Sequence, residues 1–536
     1  MALVVDGNIA AMARGRERTV APGTVWIGDD GLVEKVTTKG QKAPAGFDAA
    51  PRVDVGDAVV YPGLIDLHSH IGFNAQPLWV DPKRAARGVP WEHHDQWPGA
   101  DTYPEQIPWP AWTLINGAPE STLAYIQVRA LAGGTTAIQG WPGQSRAAAN
   151  ALVRSVDNDQ VGPLADPVRV STLTDTRELD KRVLDLRAGR VLIRHCGEGR
   201  PSPAMRGEFE DLRTAPDAAL KAGAEPTGCI DQRLVVVHGC GLDREDFRRW
   251  RSIVQPAPRD TTGAVVWSPF SNLWLYGITL DVPAVQGERL GVCLGTDWGP
   301  SGTKNLLGEL KVARLHADAA GWNLDDHALV RMATANPGDA LARAWQVPSG
   351  RLVPGALGDL VAVTPRRDDP WESLVAARER DVVLVAVGGR PRLGTAAAML
   401  AAGAASAVPV RLGNATRRVT LVRPDDPAKP WPWAEVLAGL EKVRKSAREV
   451  PPSGPAASRS RRPSGLISGD PPGTPPMAVE LDMPGGPVGT AGPPPKGRTV
   501  DIAPIGPVHH DPDWLASVRG RGFHGGVLDP LRELFR

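Results

Sequence analysis

From about residue 61 to 345 the chain alternates short apolar runs with helix-patterned stretches, and this constrains the fold more than any other feature of its 536 residues. The strand candidates are "GLIDLH", "TTAIQ" at 135–139, "VRVSTL" at 168–173, "RVLIRH" at 190–195, "RLVVVH" at 233–238, "AVVWS" at 264–268 and "LGVCLGTD" at 290–297. Helical patterns lie between them, as in "PESTLAYIQVRALAGG" at 119–134 and "TKNLLGELKVARLHADAAG" at 303–321. Strand–helix alternation sustained this far predicts an α/β fold, a distorted (β/α)8 barrel with its helices outside. Seven strands are convincing. The spacer between "VRVSTL" and "RVLIRH" is tight for a further βα unit, so one strand is hidden or the barrel is irregular there.

The flanks have a different texture. Residues 1–60 read as short strands broken by Asp-Gly turns, and the same texture returns at 349–398 in "GRLVPGALGDLVAVTP" and "DVVLVAVGGRPR". The expected organisation is a small composite β-sandwich made from these two segments, with the barrel over 61–348 between them. A helical extension is expected at 399–450, a Pro/Gly-rich linker at 451–497 and a more apolar tail at 498–536. A long insert at 71–118 holds Trp79, Trp91, Trp97, Trp109 and Trp112 among many prolines. Loops of that length are functional or disordered. An ordered lid and plain packing are both compatible with the tryptophans.

The strand ends carry the chemistry. Side chains alternate along a strand, so His68 and His70 in "HSH" point the same way and can share one metal ion. Alone this is a weak pattern. However, three other apolar runs also finish in ligand-capable side chains, at His195, His238 and Asp297. In a parallel barrel those ends share one face, where barrel active sites sit. Random placement of 11 histidines would rarely produce this.

"PGLIDLHSH", "HCGE", "VVHG", "SPFSNLWL" and "LGTDWGPSG", in that order, resemble the amidohydrolase superfamily, and more closely its cytosine deaminase and chlorohydrolase-like branch. The resemblance covers about residues 1–395. It implies that His68 and His70 are the first-strand metal pair, His195 the fifth-strand ligand, and Asp297 the eighth-strand carboxylate that binds metal and takes a proton from water. It implies that His238 contacts the attacking water or the substrate, and that Glu198 shuttles protons. Binuclear relatives bridge two ions with a lysine or glutamate near the fourth strand. The only lysine between 140 and 190 is Lys181, inside the helical "RELDKRVLDL", so one divalent ion is expected, zinc ahead of iron or manganese.

The residues make chemical sense together. Three imidazoles and a carboxylate leave a divalent ion an open position, where the pKa of water falls to about 7. Asp297 could take the remaining proton, His238 could stabilise the oxyanion, and Glu198 could protonate a leaving or ring nitrogen if burial raises its pKa. The expected reaction is hydrolysis of a non-peptide C–N bond, first of all deamination of a small heterocycle. A cyclic amide hydrolase and an inactive binding or scaffold barrel are the alternatives.

Other candidates weigh less. Ser271 and Asn272 could touch substrate or form a turn. Trp141 and Trp298 could stack on a flat ligand or pack. The pairs His93–His94 and His509–His510 point apart if extended, which disfavours a shared metal. A net charge of +1 and the short Arg461–Arg462 pair give no case for nucleic acid or an anionic membrane surface. The partner expected is a small-molecule substrate, and a homo-oligomer is compatible with the sequence. Four scattered cysteines without CxxC spacing fit a reducing, cytoplasmic setting. The opening has no basic-then-apolar pattern, so no signal peptide is expected.

Overall fold

The structure is a computed structural model that describes residues 2–140, 151–171 apart from 158, 160 and 165, then 179–215, 228–254, 262–446 and 512–534. The linker expected at 451–497, with Arg461 and Arg462, lies outside the described residues, as do Trp141, His509 and His510.

The chain is a mixed α/β fold with parallel sheets. Its central strands are β1 (Leu64–Asp66), β2 (Thr135–Ile138), β3 (Arg154–Ser155), β4 (Val168–Ser171), β5 (Val191–Cys196), β6 (Leu234–His238), β7 (Ala264–Trp267) and β8 (Gly291–Leu294). β1, β2 and β3 form one parallel sheet, and β4 to β8 form a second with neighbours in sequence order. The strand missing from the sequence reading is β3, which falls between 139 and 168 rather than after "VRVSTL". The tight spacer there holds a helix, α2 (Leu179–Arg187), which follows α1 (Pro119–Ala132) along the chain. Lys181 sits in α2.

The chain just beyond β1 meets the chain just beyond β8. Asp297 N–H donates to His68 O at 2.9 Å, and Ser69 bridges Asp297 in parallel register. Gly295 is required at this seam, because a Cβ there would lie 2.6 Å from that of His68. Branched apolar side chains fill the strands because both faces are covered. β6 is buried along its whole length.

The two β-rich flanks pair with each other. In spatial order, Val408–Leu412, Ala415–Val419, Arg390–Gly394, Val382–Val387, Leu360–Val363, Arg52–Pro62, Leu3–Ala10, Val20–Ile27 and Val33–Thr38 make one nine-stranded sheet. Its junction is the antiparallel pairing of Leu360–Val363 with Arg52–Pro62, whose C-terminal end runs through Gly63 into β1. The sheet therefore anchors the strand that carries His68 and His70.

The expectation of a helical extension over 399–450 is corrected. Val408–Leu412 and Ala415–Val419 are a hairpin added to the edge of this sheet, and helix resumes only at Trp433–Ser446. Alternating burial along "VPVRL" and a two-residue Gly413–Asn414 turn, with Gly413 at φ 59°, favour the hairpin.

The insert is ordered, with short helices at Pro82–Arg87, Tyr103–Gln106 and Pro108–Gly117. Trp79, Trp91, Trp97 and Trp109 are buried. The helices used below are α3 (Pro203–Thr214), α4 (Pro269–Tyr276) and α5 (Leu306–Ala319). Residues 512–534 pack against α4: Phe523 N–H donates to Trp274 O at 3.1 Å, and Trp514 stacks on Phe270 with ring centres 5.5 Å apart. Among the described residues no helix is long and apolar enough to cross a membrane.

Candidate active site

The strand ends deliver their side chains to one buried point. His68 and His70 come from just beyond β1, His195 from within β5, His238 from the end of β6 and Asp297 from three residues past β8. None is more than 6% exposed. His238 and Asp297 both adopt left-handed backbone, with φ of 69° and 59°, turning each side chain inward as the strand stops. Such conformations cost non-glycine residues about 1–3 kcal/mol each and cluster at functional sites.

Ring nitrogens of His68, His70 and His195 lie within 4.8 Å of one another, and so do the ligand atoms of His68, His238 and Asp297. Asp297 Oδ1 is 3.0 Å from His68 Nε2 and 3.6 Å from His70 Nε2, and His195 Nε2 is 3.3 Å from His70 Nε2. Buried imidazole nitrogens converging with a carboxylate oxygen form a donor set suited to one divalent cation. Burial and the neighbouring histidines push the His195 imidazole well below its ordinary pKa, which leaves it neutral and able to ligate. Burial acts to raise the Asp297 carboxyl, but His68, with His238 and His70, holds it below the usual carboxylate range.

Glu198 stands beside His238. Its Oε1 is 3.7 Å from His238 Nε2 and accepts the Tyr276 hydroxyl at 2.8 Å. Burial lifts the Glu198 carboxyl to about 8, with Asp297 adding to the rise and His94 and Tyr276 opposing it. Burial thus favours its protonated form.

The His238 tautomer follows from a chain of donors. Trp267 Nε1–H donates to Thr279 Oγ1 at 2.6 Å, and the Thr279 hydroxyl donates to Asn272 Oδ1 at 3.4 Å. The Asn272 amide then donates to His238 Nδ1 at 3.0 Å, which leaves the proton on Nε2, facing Glu198 and Asp297.

Asn272 and Tyr276 are four residues apart on α4 and so share a face, a spacing visible in the sequence once that stretch is known to be helical. The "SPFSN" stretch is helix rather than turn, and Ser271 bonds Ser301 at 2.8 Å. Trp298 packs between Phe73 and Trp97, with ring centres at 5.7 and 5.2 Å. His94 is buried against Glu208 and His93 lies beside Asp95, and neither joins the histidine cluster. Sequence reasoning did not single out Tyr276, Glu208 or Asp66, whose buried carboxylate accepts from Thr296 Oγ1 at 2.6 Å and from His68 N at 3.2 Å, bracing both sides of the seam.

No known family profile matches the chain. It is 26% identical over 403 residues to a 5-methylthioadenosine/S-adenosylhomocysteine deaminase of Moorella thermoacetica, covering 69% of this chain and 90% of the relative. Among solved structures, an adenosine deaminase from Xanthomonas campestris with bound zinc matches at a TM-score of 0.52 and 17% identity, over 84% of this chain and all but 1% of that one. A triazine hydrolase variant matches at a TM-score of 0.52 and 16% identity, over 82% and 99%. In its fold and in its curated relatives the chain resembles the deaminase branch of the amidohydrolase superfamily.

Proposed function

We propose that this protein is a metal-dependent hydrolase that deaminates a small nitrogenous heterocycle, with His68, His70, His195 and Asp297 holding one divalent ion, zinc in the first instance. The observation that carries the reading is the meeting of that donor set with a buried Glu198 whose carboxyl approaches the same His238 nitrogen as Asp297 does. The ion, when bound, supplies a water acidic enough to attack at neutral pH.

The chain's own groups do the rest. Glu198 donates its proton to a ring nitrogen of the substrate. Asp297 accepts one proton from the attacking water and passes it to the departing amino nitrogen, which leaves as ammonia as the C–N bond breaks, while the water's second proton restores Glu198 and its oxygen becomes the product carbonyl. His238, with its proton on Nε2, donates to the oxygen as charge develops there. The names of the curated relatives make adenosine derivatives the first substrates to try.

The finer architecture is proposed with this reading. The two parallel sheets are arcs of one distorted (β/α)8 barrel, sealed between β1 and β8 by the Ser69–Asp297 bridge, and the nine-stranded sheet curls into the composite β-sandwich. Four buried cysteines, all free thiols, support a cytoplasmic setting.

The test is ammonia release from adenosine derivatives, other amino-heterocycles and cyclic amides, with metal analysis of the same preparation. About one equivalent of metal and turnover of an amino-heterocycle are expected. Turnover of cyclic amides alone, or a folded protein without metal or turnover, would refute deamination. Glu198→Gln should keep the metal and lose about 10²–10⁴-fold in kcat.

A further inference from the structure

We propose that His94, carried by the insert and paired with Glu208 on α3, is a positioning residue for Glu198. The inference rests on the reading of Glu198 as the proton donor.

The insert is zipped onto the backbone that presents Glu198. His94 N–H donates to Glu198 O at 3.1 Å, Arg200 N–H donates to Glu92 O at 2.6 Å, and His93 bridges Gly199 in antiparallel register. The approach is close enough to demand glycine: a Cβ at 199 would lie 2.5 Å from Glu92 O and 2.8 Å from His93 Cα.

The side chains repeat the connection. His94 Nε2 is 2.6 Å from Glu208 Oε1, while Glu208 Oε2 accepts Gly197 N–H at 2.6 Å. One carboxylate thus ties the insert's imidazole to the peptide group next to Glu198. His94 is 3% exposed, a costly place for an imidazole unless it is held by a partner. Burial disfavours its charge, but the Glu208 hydrogen bond and the acidic groups around the ring outweigh that and raise its pKa.

Glu198 is otherwise faced by Tyr276 from α4, by His238 from β6, and by Asp297 and Cys240. Tyr276 is in turn held by the insert, whose Trp97 Nε1–H donates to its hydroxyl at 3.1 Å. Both lines of contact place residues 92–97 of the insert against the segment and the tyrosine that hold the proton donor. Their consequence is geometric: without the His94–Glu208 tie, the 197–200 segment gains freedom and the Glu198 carboxyl leaves its productive direction.

The experiment compares His94→Ala, His94→Gln and Glu208→Gln with the wild type, all loaded with zinc. His94→Ala should lower kcat per metal-loaded site by about tenfold to a hundredfold, the scale of a 1 Å misplacement, with KM within about twofold. His94→Gln keeps a donor toward Glu208 and should recover most of kcat, and Glu208→Gln should lose kcat from the other end of the pair. Amide exchange followed by mass spectrometry should rise at 91–94 and 197–200 in His94→Ala and stay unchanged in β6 and β7.

Wild-type kcat with unchanged exchange overturns the proposal, as does a rise in KM at constant kcat, which would make His94 a substrate contact. If His94→Ala does not fold, His94→Gln and Glu208→Gln decide by the same two measurements. If the wild type releases no ammonia from any substrate, deamination fails, and the exchange pattern alone still decides the tie.

Discussion

Glu309 is fully buried at the start of α5, where its carboxyl accepts from Thr303 Oγ1 at 2.8 Å and from Phe270 N at 3.3 Å. Burial raises it from 4.5 to about 8 against the lowering effect of those hydrogen bonds, with Asp66 adding a little. The folded state therefore keeps its proton up to about pH 8, whereas the unfolded chain releases it near 4.5. Between these values the unfolded state binds fewer protons, so this residue's contribution to stability is complete below 4.5 and is lost as pH rises toward 8.

Glutamine cannot titrate, and it keeps an acceptor for Thr303. The stability of Glu309→Gln relative to wild type should therefore grow with pH. At about 1.4 kcal/mol per pH unit the gap bounds the growth near 5 kcal/mol, and relaxation around the buried acid reduces this to about 2 kcal/mol. The assay is urea unfolding followed by tryptophan fluorescence at a series of pH values from about 5 to about 8, with the other carboxylates cancelling in the difference. A difference that stays flat across the series would refute the argument, because the folded acid would then be ionised throughout.

Two further perturbations test the site and the insert. His68→Ala should lose both metal and turnover, and its melting temperature should match that of chelator-treated wild type, because a ligand bound only by the folded state stabilises it in proportion to affinity; a clear gap between the two melts would show that His68 acts through packing instead. Gly199→Ala forces a methyl group into the backbone of Glu92 and His93, costs about 1–3 kcal/mol as an overpacking change, and should make the 85–95 stretch more sensitive to protease, while cleavage at the wild-type rate would mean that the insert sits further away.

The sequence revealed the residues whose local pattern and chemistry coincide. His68, His195 and His238 each close an apolar strand, so strand geometry alone brings them together once the strands are parallel. β3 was invisible because two residues, one of them Arg154, carry no periodicity, and its place comes from the sheet around it. The hairpin at 408–419 hid behind an alanine-rich stretch whose helix ends at Ala401. Tyr276 and His94 were illegible for another reason. Their partners lie 78 and 114 residues away, and a single chain carries no signal for a pair at that separation.

The segment at 512–534 lies on the outer side of α4, while Asn272 and Tyr276 on the same helix serve His238 and Glu198. A product cut anywhere in 447–511 keeps every reactive side chain yet uncovers the rings of Phe270 and Trp274 that the segment shields. Such a fragment would carry a sticky apolar flank directly behind its chemistry, so quality control that senses greasy surfaces would remove it before its missing terminus could be noticed by loss of turnover.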